Sequence, residues 1–245
     1  MNNGDTFSRE EFLFYTQAFA RNIGLLTVEE QETLRQSRVA AAVLGGVGVI
    51  HALSFARLGI RLFNIADKDI FETVNINRQA GATAENMGQD KAEAMERMIQ
   101  SINPYADVRR FSQGITPETV DAFLADATVV VDGVDFFEIE VRRLLYGKAR
   151  EKGLYVVTAG PIGFGSSLLV FSPEGMTFDE YFDVHNGMNE EVMALHFGIG
   201  ITPALLQRKY FKPEILNLKE RAAPSLVTGT LLAANFVTCE VTKIL

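Results

Sequence analysis

Short apolar runs alternate with amphipathic stretches along most of this chain. The apolar run at residues 38–44 leads through Gly45-Gly46-Val47-Gly48 into an amphipathic stretch at residues 49–58, and a second apolar run follows at residues 62–66. This pattern predicts a strand, a glycine-rich turn, a helix and another strand. Because that order collects backbone N–H groups and the positive end of a helix dipole at the turn, it favours a phosphate-binding site there.

The same alternation continues to about residue 160. A helix is predicted at residues 90–102, where apolar residues recur at helical spacing, and another begins near Pro117. Further strands are predicted at residues 108–111, 127–131, 154–158 and 167–171. The glycines and proline at residues 160–165 suit a change of strand direction. We therefore predict an α/β fold: a Rossmann-like mixed sheet flanked by helices, with an N-terminal helical arm and a C-terminal antiparallel extension of the sheet.

Both ends of the chain depart from this alternation. Residues 8–37 predict the helical arm, with Thr27 and Glu30 as a capping box. Residues 174–224 are irregular, which is typical of a crossover loop or lid. Residues 222–239 predict a buried last helix in which Cys239 is an inert core thiol. We expect the irregular segment to expose a partner-recognition surface made of Phe178, Tyr181, Phe182, Met188, Met193 and Phe197.

Length and composition indicate one domain. The 245 residues, 47% of them hydrophobic, can bury a substantial α/β core. We divide this single nucleotide-binding domain into a helical arm (residues 1–37), a nucleotide-binding core (38–160) and a sheet extension with crossover loop and C-terminal helix (161–245).

Charge and cysteine content narrow the classes of partner. A net charge of −8 disfavours a broad surface for nucleic acid or acidic membranes, so cations that meet a phosphate must be local. The first residues lack a basic start and an apolar core, so we expect a cytoplasmic protein without membrane attachment. The single cysteine excludes an internal disulfide and a four-cysteine zinc site, and no zinc is expected.

Residues 67–91 carry the polar groups that a nucleoside triphosphate site requires. Asp67 ends the second strand about twenty residues after the glycines, the spacing at which a carboxylate accepts hydrogen bonds from a ribose. Asn75-Ile76-Asn77-Arg78-Gln79 follows, and Lys91 opens the next predicted helix. Taken singly, Arg78 and Lys91 are also typical of solvated surface charges, and Asp67 and Asp135 of caps.

Several ordered motifs strengthen the triphosphate prediction. They are Asp67-Lys68-Asp69, Asn75-Ile76-Asn77-Arg78-Gln79, Gly88-Gln89-Asp90-Lys91, Ile102-Asn103-Pro104 and Asp132-Gly133-Val134-Asp135. In this order they resemble the ThiF/MoeB/HesA family, the bacterial relatives of the ubiquitin-activating enzymes, over residues 19–158. Motifs in the correct order are much harder to obtain by chance than one motif alone.

The resemblance implies an adenylation reaction with ATP and Mg²⁺. A carboxylate, typically at the C-terminus of a ubiquitin-like or sulfur-carrier protein or of a peptide, attacks the α-phosphate of ATP and displaces pyrophosphate. It implies catalytic roles for Arg21, Arg78, Lys91 and Asp135, with Asp135 also holding the metal. It implies nucleotide binding by Gly45, Gly46, Gly48, Asp67, Asp69, Asn75, Asn77, Arg78, Gln79 and Lys91. In this family the counterpart of Arg21 reaches into the neighbouring subunit's site, which implies a homodimer.

Two positions depart from the family pattern. Val43 stands where the family has its first turn glycine, and a β-branched residue adopts a positive φ with difficulty. Either the turn begins later, or the nucleotide binds in an altered way. Phe136 stands where Asn usually follows the aspartate, and the next arginine is represented by Arg142 or Arg143 after about two extra residues. The family's paired zinc cysteines are absent. The crossover region contains no cysteine either, so no thioester step is expected on this chain and an acyl-adenylate is the expected end product.

Two other functions stay open at this point. A nicotinamide-dependent oxidoreductase would use the same glycines and Asp67, but the chain offers no Tyr-x-x-x-Lys pair for proton transfer. A non-catalytic partner subunit of the same fold is made credible by Val43 and Phe136. No nucleic-acid partner is expected, although the resemblance leaves a modified tRNA base as a possible substrate.

Overall fold

The computed structural model describes residues 8–209 and 223–245, which build one sheet with helices on both faces. The strands are β1 (Arg38–Ala42), β2 (Leu62–Ala66), β3 (Asp107–Phe111), β4 (Val129–Asp132), β5 (Tyr155–Ile162) and β6 (Gly165–Phe171). The α-helices of the described residues are α1 (Arg9–Ala18), α2 (Val28–Gln36), α3 (Gly46–Leu58), α4 (Lys91–Ile102), α5 (Val120–Phe123), α6 (Ile139–Glu151), α7 (Phe178–Phe182), α8 (Glu190–Ile201) and α9 (Val227–Ile244). Short 3-10 helices occur at Ala20–Asn22, Thr73–Asn75 and Leu206–Lys209.

The strand order is β3-β2-β1-β4-β5-β6. Strands β1 to β5 are parallel, and β6 pairs antiparallel with β5. The predicted mixed sheet with an antiparallel extension is therefore confirmed. The order reverses between β1 and β4, so the loops that follow these two strands open on one crevice. Such a switch point is where open α/β sheets bind ligands.

Two hydrophobic layers enclose the sheet. In β1, Val39 and Ala41 face the layer that contains α3, α4 and α9, whereas Ala40 and Ala42 face the layer that contains α5 to α8. Successive residues of a strand point to opposite faces, and a helical layer covers each face, so each of these side chains is buried. The carboxyl end of β1 thus has a closely packed support on both sides.

Most predicted elements lie where the pattern placed them, including the capping box of Thr27 and Glu30 at the start of α2. One shift matters for the site. Helix α3 begins at Gly46, three residues before the predicted start, because the glycines at 46 and 48 form its first turn. The bend is made earlier, at Val43 and Leu44. The helix predicted near Pro117 is only the four-residue α5.

The interpretation of residues 174–224 as loop-rich is wrong for its described part, which contains α7 and α8; residues 210–222 lie outside the described residues. Phe178 and Phe182, four residues apart, share one face of α7, and Met193 and Phe197 share one face of α8. These four side chains are 2–3% exposed and pack beneath the sheet. The prediction that they form an exposed recognition surface is therefore wrong.

Helix α9 is half-buried. Its inner face packs on the sheet and α3, while Leu231, Phe236 and Cys239 lie on its outer face. The prediction of Cys239 as a core thiol is wrong because the residue falls on that outer face. Within residues 8–209 and 223–245, no helix combines the length and the hydropathy that a membrane crossing needs.

The helical arm packs against the core. The Glu11 carboxylate is buried and lies 3.3 Å from Arg61 Nε. Tyr15 Oη accepts a hydrogen bond from Asn103 Nδ2 at 2.6 Å, and burial raises the pKa of Tyr15 to about 12. Because Asn103 directly follows α4 and Arg61 directly precedes β2, the arm is fixed at the amino end of the sheet, away from the crevice.

Candidate nucleotide-binding site

The turn after β1 is made by Val43 in a left-handed conformation. Its φ is +64°, a region that β-branched residues rarely occupy. Its N–H donates to the Ala66 carbonyl at 2.8 Å. Its own carbonyl oxygen lies against Gly48 and Gly133, where added Cβ atoms would stand 1.9 and 2.5 Å from it. The alternative that the turn begins later is therefore wrong, since the chain accepts the strain at Val43.

The N-terminus of α3 opens on the crevice without a side-chain cap. Its N-cap is Gly45, and the first N–H groups of a helix have no intrahelical acceptor. A Cβ on Gly46 would lie 2.9 Å from Thr230 Cγ2 and 3.3 Å from the Arg78 carbonyl oxygen. Glycine is therefore needed at position 46 so that α9 and the Arg78 segment can approach the helix.

Asp67 ties the glycine-rich turn to the loop after β2. Its Oδ2 accepts the Leu44 N–H at 2.7 Å and its Oδ1 accepts the Asp69 N–H at 2.9 Å. The carboxyl group is 1% exposed, and burial raises its pKa while the charge of Lys91 opposes that rise. Asp67 therefore holds the turn in place, and its predicted bond to a ribose stays a prediction.

Asn75 and Gln79 are the two buried amides of the segment that follows. Asn75 Oδ1 accepts the Glu72 N–H at 3.0 Å. Gln79 is 6% exposed, and among the described residues its Oε1 has no hydrogen-bond partner. A buried acceptor without a donor is uncommon in folded proteins, so Gln79 is a candidate to receive a bond from a ligand.

Asn77 and Arg78 connect the same segment to the start of α9. Asn77 Nδ2 donates to the Ser225 carbonyl at 3.0 Å. Arg78 Nη1 donates to the Val74 carbonyl at 3.0 Å and to Asn77 Oδ1 at 2.9 Å. These bonds are exposed, and the guanidinium can exchange them for an anion at small cost. The segment around Arg78 thus reaches the crevice from the side of β2.

Lys91 is held beside the acidic loop after β2. It is 4% exposed, and its Nζ lies 3.2 Å from Asp69 Oδ2. Its N–H donates to the Asp69 carbonyl at 3.0 Å, and the Asp90 side chain caps α4. Lys91 is therefore not a solvated surface charge, and it brings a positive group close to Asp67.

Asp135 lies in the loop after β4. It is exposed, and its Oδ1 accepts the Phe137 N–H at 3.2 Å. Helix α6 starts at Ile139 with Glu138 as its N-cap, so the alternative that Asp135 caps this helix is wrong. Gly133 brings the loop against the turn, since a Cβ on Gly45 would lie 3.9 Å from the Gly133 carbonyl oxygen.

Arg21 lies at the other end of α3. It is exposed in the 3-10 helix Ala20–Asn22, and the neighbouring Asn22 Nδ2 donates to the Leu58 carbonyl at 3.4 Å. Helix α3 has 13 residues and is therefore about 20 Å long. The structure does not bring Arg21 to the glycine-rich turn of its own chain.

Two residues near the crevice were missed by sequence reasoning. Thr230 packs on Gly46 from α9, and no local pattern marks that contact across more than 180 positions. Asp132 was noted only as part of a motif, yet its side chain is fully buried and paired with Arg142 at 2.9 Å. The sequence signal that could have identified Asp132 is a carboxylate at the end of an apolar strand. Across the described parts of the chain, no group of three or more His, Cys, Asp or Glu side chains is arranged to hold a metal ion.

Comparison with known proteins extends these observations. The chain is 37% identical over 105 residues to a tRNA threonylcarbamoyladenosine dehydratase of Bacillus subtilis, covering 43% of this chain and 41% of that protein. It is 28% identical over 148 residues to a sulfur carrier protein ThiS adenylyltransferase of Escherichia coli, covering 60% and 58%. The chain thus spans about half the length of the curated relatives it matches.

A solved structure with the same fold contains a nucleotide. The crystal structure of Escherichia coli MccB with ATP has a TM-score of 0.65 and 18% identity, and the match covers 99% of this chain and 64% of that one. At this identity the likeness concerns the fold alone. Residues 19–245 match the ThiF family, and the chain belongs to that family.

Proposed function

We propose that this protein is an ATP-dependent adenylyltransferase of the type that activates ubiquitin-like modifiers. Its substrate is a carboxylate, at the C-terminus of a ubiquitin-like or sulfur-carrier protein or of a peptide. The observation that carries the proposal is the uncapped N-terminus of α3, which packs against the Arg78 segment. Free N–H groups at a helix N-terminus, next to an arginine, are suited to phosphate.

The crevice fits ATP in three respects. Phosphate oxygens are assigned to the α3 N-terminus, Arg78 and Lys91, with Asn75 and Asn77 as neutral donors. Asp67 is assigned to the ribose, and the unpartnered Gln79 Oε1 to a donor group of the nucleotide. The name of the ThiS adenylyltransferase and the presence of ATP in MccB support ATP over a nicotinamide cofactor.

Mg²⁺ is assigned to Asp135. This metal usually keeps several waters and is bound by one or two carboxylates together with substrate phosphates. One exposed carboxylate beside the crevice fits that requirement, and a cluster of three protein ligands is not needed. When bound, the ion supplies positive charge to the departing pyrophosphate.

The reaction follows from the charges. A carboxylate oxygen of the substrate forms a bond to the α-phosphorus of ATP, the bond from that phosphorus to the bridging oxygen breaks, and pyrophosphate leaves with the electron pair. Every reactant is an anion, so Arg78 and Lys91 lower the repulsion between them. The only cysteine, Cys239, lies on the outer face of α9, and the acyl-adenylate is the product.

The outer face of α8 is assigned to the partner that carries the carboxylate. Val192, Leu195 and Ile199 are 43%, 60% and 49% exposed there, although the buried residues of the same helix were the ones predicted to do this. A tRNA substrate is the second candidate because of the dehydratase relative. The net charge of −8 disfavours it, since binding to nucleic acid depends on basic surfaces.

A homodimer in which Arg21 serves the partner's site completes the proposal. Within one chain, Arg21 lies one helix length from the turn, as described above. An arginine so placed is available to a neighbouring copy, whereas its own triphosphate site is out of reach. The positive charge that Arg21 brings to the triphosphate at each site would then depend on dimer formation.

The function is tested by pyrophosphate exchange into ATP in the presence of a candidate carrier protein or peptide. Exchange should require the free C-terminal carboxylate. The same peptide with an amidated C-terminus is the matched control, because it keeps every contact except the nucleophile. Exchange that is equal with both peptides, or absent with all candidates while ATP binds, would favour a non-catalytic nucleotide-binding subunit.

A further inference from the structure

Arg142 is a buried cation below the crevice. It is 4% exposed, and its Nε donates to Asp132 Oδ2 at 2.9 Å. The Tyr146 hydroxyl donates to the same oxygen at 2.8 Å. Burying an ion pair is unfavourable unless its remaining polar groups are also satisfied. The partners of the other two guanidinium nitrogens therefore indicate the role of the cluster.

Those two nitrogens hold the loop that carries Asp135. Nη1 of Arg142 donates to the Asp135 carbonyl at 2.6 Å, and Nη2 donates to the Val134 carbonyl. Asp132 Oδ1 accepts the Val134 N–H at 2.8 Å. The guanidinium is a rigid planar fork, so one side chain fixes two consecutive carbonyls. The loop cannot shift without leaving buried guanidinium N–H groups without their acceptors.

The same loop supports the glycine-rich turn. A Cβ on Gly133 would lie 2.5 Å from the Val43 carbonyl oxygen and 3.1 Å from the Gly48 Cα. Backbone this close leaves no room for independent movement. The position of the loop after β4 and the position of the α3 N-terminus are therefore mechanically linked.

Helix α8 contacts the cluster from the other side. The Arg142 guanidinium carbon lies 4.4 Å from the centre of the Phe197 ring, which is a cation–π arrangement. Phe136, the residue after Asp135, packs on the same ring with centroids 5.4 Å apart. Phe197 lies on the inner face of α8, and Val192, Leu195 and Ile199 are exposed on its outer face.

We infer that Arg142 is a positioning residue that holds the Asp135 carboxylate where it can bind Mg²⁺. Through Arg142, the position of Asp135 also depends on how α8 packs. The inference rests on the proposed function. Arg142 itself touches neither nucleotide nor substrate. It acts through the Val134 and Asp135 carbonyls, and Phe197 transmits the position of α8 to it.

The test measures ATP affinity with and without Mg²⁺ by calorimetry for Arg142→Lys. Lysine keeps the charge but cannot bond both carbonyls and Asp132 in the same plane. The Mg²⁺ concentration for half-maximal binding should rise about tenfold, the usual effect of removing a group that orients a metal ligand. Affinity without Mg²⁺ should fall less than affinity with Mg²⁺, because only the metal-dependent part of binding uses the Asp135 carboxylate. Arg143→Lys is the matched control, because Arg143 is the next residue of α6 and pairs with Asp179 at 2.7 Å, not with the loop that carries Asp135.

A double variant distinguishes a positioning role of Arg142 from general destabilisation of the protein. If Arg142 acts through Asp135, then Arg142→Lys added to Asp135→Asn should cause no further loss of Mg²⁺ dependence. Additive losses, or an unchanged Mg²⁺ dependence in Arg142→Lys, would overturn the inference. If Arg142→Lys does not fold, Phe197→Leu tests the same link and should shift the Mg²⁺ requirement in the same direction.

A measurement without nucleotide keeps this result distinct from the proposed function. The Val134 amide hydrogen should exchange faster in Arg142→Lys than in the unaltered protein, whatever reaction the protein catalyses. Unchanged exchange at Val134 would show that the loop does not depend on Arg142. Absent pyrophosphate exchange in the unaltered protein, with faster Val134 exchange in the variant, would contradict only the adenylation proposal.

Discussion

The Val43 carbonyl oxygen lies directly against Gly48, so closely that a Cβ on Gly48 would stand 1.9 Å from it. The first turn of α3 therefore holds the peptide of Val43 in place, and the valine keeps a φ of +64° as a result. A strained backbone at the start of the glycine-rich turn is thus maintained by the helix that follows it.

Val43→Gly should be more stable than Val43→Ala by about 1 kcal/mol. Both variants lose the valine side chain, so their difference isolates the left-handed backbone, which costs an L-residue roughly 1–2 kcal/mol. At an ordinary position glycine would instead be the less stable by about 0.5–1 kcal/mol. Urea unfolding measures the difference. An alanine variant as stable as the glycine variant would mean that the turn relaxes once the side chain is gone.

His51→Leu should make the stability of the protein less sensitive to acid. His51 is fully buried in α3, and among the described residues neither ring nitrogen has a hydrogen-bond partner. Burial lowers its pKa from 6.5 to about 3, with the charge of Asp132 opposing that change.

The direction of the pH effect on stability follows from proton uptake at His51 on unfolding. Between pH 6.5 and about 3 the unfolded chain binds a proton at His51 that the folded chain does not, so stability is lost as pH falls through this window. The loss attributable to His51 should approach about 1.4 kcal/mol per pH unit. Urea unfolding at pH 7 and pH 4.5 should show a smaller difference in His51→Leu. Equal differences in the two proteins would show that His51 does not titrate in this way.

Lys91→Ala should weaken ATP binding by about 1.5–3 kcal/mol, the range for a hydrogen bond to a charged group. The buried ammonium of Lys91 lies 3.2 Å from Asp69 Oδ2 in the loop after β2. Arg97→Ala is the control on the same helix, because Arg97 pairs with Glu93 at the surface. Calorimetry with ATP and with NAD measures both effects. Unchanged affinity in Lys91→Ala would remove the lysine from the site.

Mixed dimers of Arg21→Ala and Asp135→Ala should recover activity that neither variant has alone. If Arg21 acts in the partner's site, one site of the mixed dimer carries both lesions and the other carries neither. Equal mixing should then return about a quarter of the original activity if the sites are independent and the subunits exchange freely. An inactive mixture after verified exchange, or a fully active monomer, would contradict the assignment of Arg21 to the partner.

Leu195→Asp should raise the KM for the carboxylate-bearing partner while ATP affinity stays constant. Leu195 is the most exposed of the three apolar residues on the outer face of α8, and a charge there would be buried against the partner at a cost. Leu25→Asp is the control, because Leu25 is 91% exposed on the arm. Equal KM values in both variants would place partner recognition elsewhere.

Local patterns alone predicted much of the fold. The short apolar runs predicted all six strands of the described residues, and β2 at residues 62–66 was predicted to the residue. The capping box of Thr27 and Glu30 was readable because it needs only contacts three residues apart. The order of the motifs from Asp67 to Lys91 indicated the family for the same reason, since these motifs follow the strand ends along the chain.

Tertiary contacts decided what local patterns could not. Val43 takes a conformation that its own propensity opposes, and Gly48 and Gly133, which lack Cβ atoms, make room for its carbonyl. The phenylalanines of α7 and α8 were predicted to be exposed and are buried beneath the sheet, whereas Tyr181 of α7 is 38% exposed. Which face of a helix is covered depends on how the helices pack. The pairing of Asp132 with Arg142 joins positions that only the packing of α6 on β4 brings together. The sequence specifies which charged residues are present, whereas the tertiary structure determines which of them form pairs and which are buried.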